Sequence, residues 1–136
     1  MKIRPLMLMP LVGLVLGARS VSAHHSFSSE FNENDPVKLV GTVTKLELVN
    51  PHMWVYIDVK NADGKVVNWA IEGGAPNAIL RRGLRKEDFP LGTQVTVDGY
   101  RAKNGSNMAN GRTVTFLDGR NFFLGSSGGP KDGAEK

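Results

Sequence analysis

KLVGTVTKLELV, residues 38–49, is the stretch whose reading decides the fold. It is rich in β-branched and apolar residues, the composition of a strand. Its alternation changes phase. Leu39 and Val43 share one parity, Leu46 and Leu48 the other, and Gly41 lies near the change. A strand has a side-chain period of two, so a phase change predicts one extra residue, a bulge and a strong bend. A first strand bent in this way pairs at both ends and lets a small sheet close on itself.

The pattern continues outward from there. Asn50-Pro51 makes a turn, and residues 52–60 (HMWVYIDVK) then alternate cleanly. Met53, Val55, Ile57 and Val59 form one face; His52, Trp54, Tyr56 and Asp58 form the other. Asn61-Ala62-Asp63-Gly64 is a hairpin signal. A third strand follows over 65–72, with Val67, Trp69 and Ile71 on one side and Gly73-Gly74 as its stop. Residues 76–82 (PNAILRR) form the one convincing helix: Pro76 suits its first turn and Gly83 its end. A connecting loop over 87–92 leads to a fourth strand over 94–101. A polar loop over 102–111 precedes a fifth strand over 112–117. Asp118-Gly119 turns into a short sixth strand over 121–124. The expected fold is mainly β: an OB-like barrel of five to six strands over residues 37–124, with one short helix between strands 3 and 4. A small β-sandwich is the alternative.

The ends of the chain have a different character. Lys2 and Arg4 precede an apolar run over 6–16, and Val21 and Ala23 occupy the −3 and −1 positions of a small-residue cleavage site. This predicts a secretory signal over 1–23, cleaved after Ala23, and a periplasmic destination. The apolar run is shorter than the roughly 20 residues that span a bilayer, so the mature form is expected to have no transmembrane segment. Residues 24–36 read as an extended arm, with Phe27 and Phe31 as anchors onto the core. Residues 125–136 have the composition of a disordered tail.

Charge and cysteine content narrow the function classes. The formal charge of +4 comes largely from the leader, since Lys2, Arg4 and Arg19 lie there and no acid does. Beyond Ala23 the chain carries only one excess positive charge, too little for a nucleic-acid footprint. The local cluster Arg81-Arg82-Gly83-Leu84-Arg85-Lys86 is blunted by Glu87 and Asp88 and reads as a solvated surface. With no cysteine, the domain rests on its apolar core, without thiol nucleophiles, disulfides or Cys-type metal sites.

The motifs A-H-H-S-F (23–27), G-T-V-T-K (41–45), N-P-H-x-W (50–54), W-x-x-E (69–72), P-N-A-I-L-R-R-G (76–83) and a closing D-G-R (118–120) together resemble one family. It is a domain-of-unknown-function family of small exported proteins from Gram-negative bacteria. The resemblance implies a periplasmic address and one small β-rich domain, and carries no activity or catalytic residue. Family members similarly show a His pair just past the signal and a His in N-P-H, which here are His24, His25 and His52.

These are all the histidines of the chain. Cleavage after Ala23 makes His24 the first residue, offering amine and imidazole to one metal ion, with His25 or His52 completing the set. Copper(II) favours such nitrogen-rich sites. Cleavage one residue earlier places a His third, which is also a copper(II) arrangement. Met53 and Met108 are further soft donors by type, though Met53 has core parity. A second candidate is the face carrying Trp54 and Tyr56, whose aromatic rings suit a glycan or an envelope protein. The carboxylates Glu47, Asp58, Glu72 and Asp98 make an uncharacterised hydrolase a third reading. Glu72, after an apolar strand, is expected to be partly buried and paired with Arg81 or Arg82. No elbow motif surrounds Ser26, Ser28 or Ser29. The expectation is an exported binding protein rather than an enzyme, with a metal ion, small ligand or envelope protein as partner and no nucleic acid.

Overall fold

The computed structural model describes residues 27–125. Its elements are β1 (Phe31–Glu47), β2 (Trp54–Lys60), β3 (Val66–Glu72), α1 (Pro76–Arg81), a 3-10 turn (Lys86–Asp88), β4 (Gln94–Ala102), β5 (Met108–Phe116) and β6 (Asn121–Phe123). One sheet runs in the order β3-β2-β1-β4-β5-β6, with a further pairing of β3 to β5. That pairing closes a ring of five strands, β1-β2-β3-β5-β4 and back to β1, in a small β-barrel-like fold. The ring contacts are antiparallel except β3–β5, which is parallel.

β1 performs the bend read from its phase change. It pairs with β4 from Phe31 to Thr42 and with β2 from Gly41 to Glu47, so both neighbours meet it at Gly41 and Thr42. The register slips between Val43 and Lys45. Gly41 allows the crossing, because a Cβ there would sit 2.7 Å from the Asp58 carbonyl oxygen. Inside the ring the alternating residues Val43, Val55, Ile57, Ile71, Val95, Val97, Ala109 and Val114 are buried together. Each fully buried aliphatic side chain contributes about 1.5–3 kcal/mol, the main stabilising term in a domain without disulfides. Ile79 of α1 and Leu84 beyond it join this core with Met53 and Phe89. Gly83 ends the helical segment at φ +90°.

Two strands begin earlier than the sequence pattern predicts. β1 starts at Phe31 rather than near residue 37, and residues 27–30, expected to be extended, are helical. β5 starts at Met108 rather than at residue 112. In both places polar residues are drawn into a ladder by partner strands: residues 31–37 by β4, residues 108–110 by β3 and, from Ala109, by β4. Phe27, Phe31 and Ala102 form a second small cluster outside the ring, with Tyr100 and Met108 packed against it. The Phe27 ring stands edge-on to Tyr100 at 5.8 Å. The Lys103 N–H donates to the Glu30 carbonyl at 2.8 Å and ties this segment to the end of β4. No helix among the described residues is long and apolar enough to cross a membrane.

Candidate functional site

The ring closure also builds a cleft. Trp54 of β2 lies opposite Glu72 of β3, and Glu72 lies opposite Asn110 of β5. Paired residues share a face, and their neighbours Val55, Ile71 and Ala109 fill the core, so this row stands on the outer side. The helical turn 27–30 and Phe31 lie along it, as does the segment with the cis Asn50–Pro51 bond. Together they enclose a cleft of about 300 Å³ lined by Phe27, Glu30, Phe31, His52, Trp54, Glu72 and Asn110, among others.

Its centre is an imidazole–carboxylate pair. His52 Nδ1 lies 2.7 Å from Glu72 Oε1. The pair is asymmetric: the Glu72 side chain is 8% exposed and that of His52 32%. Burial raises the Glu72 carboxyl above its ordinary range; His52 beside it acts in the opposite direction, and Glu30 adds to the rise. The Nδ1–H donates to the carboxylate, which fixes the ring orientation and leaves Nε2 as the free nitrogen. The position of His52 is set by its neighbours: the Met53 N–H donates to the Gly74 carbonyl, and the Gly73 N–H to the Met53 carbonyl, both at 2.9 Å. Asn110 is the second buried polar residue of the described chain, 5% exposed, and it lines the same cleft. Chemically, the site offers one oriented imidazole nitrogen, carboxylate and amide oxygens, and the aromatic surfaces of Trp54, Phe27 and Phe31. Neither a lysine nor an arginine lines it, so its character is anionic to neutral.

A family model described as a family of unknown function, DUF6152, matches residues 12–111. The chain belongs to this family. The DUF6152 match takes in every residue that lines the cleft and ends before β6. No curated protein and no solved structure matches the chain.

The residues singled out in the sequence fare differently. Of the histidines, His52 lines the cleft, while His24 and His25 lie outside the described residues. Among the described residues no group of three His, Cys, Asp or Glu side chains is placed to hold a metal ion. Trp54 lines the cleft, but Tyr56, on the same face of the same strand, does not. The Tyr56 hydroxyl donates to Glu47 Oε2 at 3.1 Å and the Lys45 ammonium sits 5.1 Å from its ring centre, so local polar contacts occupy it. Met53 is in the core and Met108 packs on the Phe27–Phe31 cluster, which removes both thioethers from the site.

The expected partner of Glu72 requires correction. Arg82 instead donates to the Gly125 carbonyl at 2.9 Å and lies over the Phe123 ring, and Arg81 is exposed at the end of α1. His52, twenty positions earlier in the chain, takes the place expected for an arginine because pairing of β2 with β3 sets the two strand ends side by side. Asn110 was not singled out at all. Its segment reads as a polar loop, and pairing with β3 on one side and, from Ala109, with β4 on the other turns it into a strand facing the cleft.

Proposed function

We propose that this protein is an exported, periplasmic binding protein that binds rather than catalyses, and that its site is the cleft at His52. The proposed ligand is copper(II). The observation that carries this reading is the hydrogen bond from His52 Nδ1 to the buried Glu72, which leaves Nε2 as the free ring nitrogen. A metal-ligating histidine typically donates its other ring N–H to a carboxylate, which orients the ring and raises its basicity. His24 and His25 supply the remaining nitrogens. Phe27 lines the cleft, and only Ser26 separates it from His25 in the chain, a reach of at most about 7 Å. The His52 imidazole, the two N-terminal imidazoles and the free amine left by cleavage after Ala23 form the nitrogen-rich set that copper(II) prefers.

The test is a copper(II) titration of mature protein whose first residue has been established by mass spectrometry. One-to-one binding is expected, abolished by His52→Ala and by the His24→Ala/His25→Ala pair. Glu72→Gln should weaken it about 10–100-fold. Non-stoichiometric binding, or binding indifferent to His52→Ala, overturns the reading. A second reading, docking of a glycan or an envelope protein, is favoured by Trp54 with Phe27 and Phe31 on the cleft walls. In that case Trp54→Ala removes binding, while the copper titration shows no specific site. A hydrolase has less support: Asp58 is bonded to Asn68, Asp98 contacts Lys38 and Thr113, and Glu47 is held by Lys45 and Tyr56.

A further inference from the structure

The cluster Arg81 to Lys86, which the cleft does not use, lies beside an apolar patch. Leu46 at the end of β1, Leu48 just beyond it, Leu80 of α1, and Phe89 and Leu91 beyond the 3-10 turn line two adjoining depressions that share Leu46, Lys86 and Phe89. Leu80 is 45% exposed and Leu91 73%. Leu91 stands at the tip of a tight turn, closed by the Thr93 N–H donating to the Pro90 carbonyl at 3.0 Å. A leucine in that position adds almost nothing to the packing of the free protein. Of the basic residues here, Arg82 is occupied by Gly125 and Phe123. Arg81, Arg85 and Lys86 make no ion pair among the described residues. On the acidic side, Asp88 is held chiefly by Arg120 at 2.6 Å and also accepts the Arg85 backbone N–H at 2.7 Å, which leaves Glu87 as the other acid beside Arg81, Arg85 and Lys86.

We propose that this patch, Leu80 and Leu91 flanked by Arg81, Arg85 and Lys86, docks the protein on an anionic phospholipid surface. Apolar side chains that enter the interface together with cations that meet headgroup phosphates are the two components of reversible membrane association. The shape favours lipid over a protein partner. The depression bounded by Leu46, Leu48, Leu80 and Leu84 holds only about 10 Å³, too little for an incoming side chain, and the adjoining one, about 590 Å³, is a shallow surface open to solvent. An apolar anchor from a protein requires a pocket, whereas fluid acyl chains do not. The proposal is independent of the ligand in the cleft.

Mature protein is sedimented with vesicles of phosphatidylcholine and phosphatidylglycerol in equal parts, and with pure phosphatidylcholine vesicles. Binding to the anionic vesicles alone is expected, and it should weaken with salt. Leu91→Ser should reduce it about tenfold. Arg81→Glu/Arg85→Glu/Lys86→Glu should abolish it, with the β-sheet circular dichroism and the response to copper(II) unchanged. Because Leu91 is largely in solvent, its substitution leaves the fold intact and keeps the test decisive should the triple variant fold poorly. The proposal is overturned by protein that stays in the supernatant with anionic vesicles at low salt, as a surface made for an acidic protein partner would. Vesicle binding that both variants retain overturns it equally.

Discussion

Removing the His52 ring should cost stability, and the loss should depend on whether Glu72 is charged. His52→Ala leaves a carboxylate whose side chain is 8% exposed without its hydrogen-bond donor. A hydrogen bond to a charged group is worth about 1.5–3 kcal/mol. Since His52 is itself partly solvated, water replaces some of what is lost and the expected cost is about 2 kcal/mol. In a domain of this size that lowers Tm by about 10 °C. Glu72→Gln acts differently. The amide oxygen still accepts from Nδ1–H and the buried charge is gone, so the change should stay within about 1 kcal/mol. In the double variant nothing charged is left unpaired, and it should be more stable than His52→Ala alone. The cycle should therefore show a coupling of about 1–2 kcal/mol. The assay is urea unfolding of all four proteins at pH 7, followed by circular dichroism, with a chelator present so that bound metal does not stabilise selectively. If the two single effects add within about 0.5 kcal/mol, the residues are not coupled and Glu72 does not hold the ring.

Gly99→Ala should destabilise by about 3 kcal/mol, because its Cβ would sit 2.2 Å from the Asn110 carbonyl oxygen and push β5 away at the ring closure. Gly119→Ala has no neighbour within 4 Å and only a positive φ of 87° to sustain, so about 1 kcal/mol is expected. Urea midpoints rank the two, and equal losses would refute the close approach. Arg120→Met should remove acid-side stability. Hydrogen bonds from Arg120 hold the Asp88 carboxyl below its ordinary value of 3.8, so this contribution is present above that pH and is lost as pH falls through the folded value. The difference between wild type and variant should be constant near neutrality and vanish in acid. A difference that persists in acid would assign the loss to packing of Arg120 on Phe116 and Phe122 instead.

The ring was legible where one face of a strand is buried and the other is not. Residues 54–60 alternate without exception, so parity alone placed Val55, Ile57 and Val59 inside and Trp54 outside. The phase change after Gly41 foretold the register slip because a single inserted residue exchanges the two faces. Illegible were the segments that owe their strand state to a partner. Residues 31–36 (FNENDP) are polar after Phe31 and pair with β4 alone in that region. Residues 108–110 pair with β3 and, from Ala109, with β4, and the parallel β3 pairing that closes the ring has no local sequence signal.

The same division explains the site. The outward face of Trp54 followed from strand parity and the burial of Glu72 from the apolar strand before it, whereas the partner of Glu72 followed from the strand pairing that no periodicity encodes. Nearness in sequence favoured an arginine, and the sheet supplied a histidine. That exchange has an energetic meaning. A buried ion pair is often no more stable than apolar residues of the same volume. In a ring of five strands without a disulfide, Glu72 and Asn110 sit where an aliphatic pair would have packed at lower cost. The cleft above them gives these polar groups a use, since an oriented imidazole requires a buried acceptor behind it. The stability forgone at Glu72 and the free Nε2 of His52 are then two sides of one arrangement, and this is what supports reading the cleft as a binding site rather than as a gap left where the helical turn crosses the sheet.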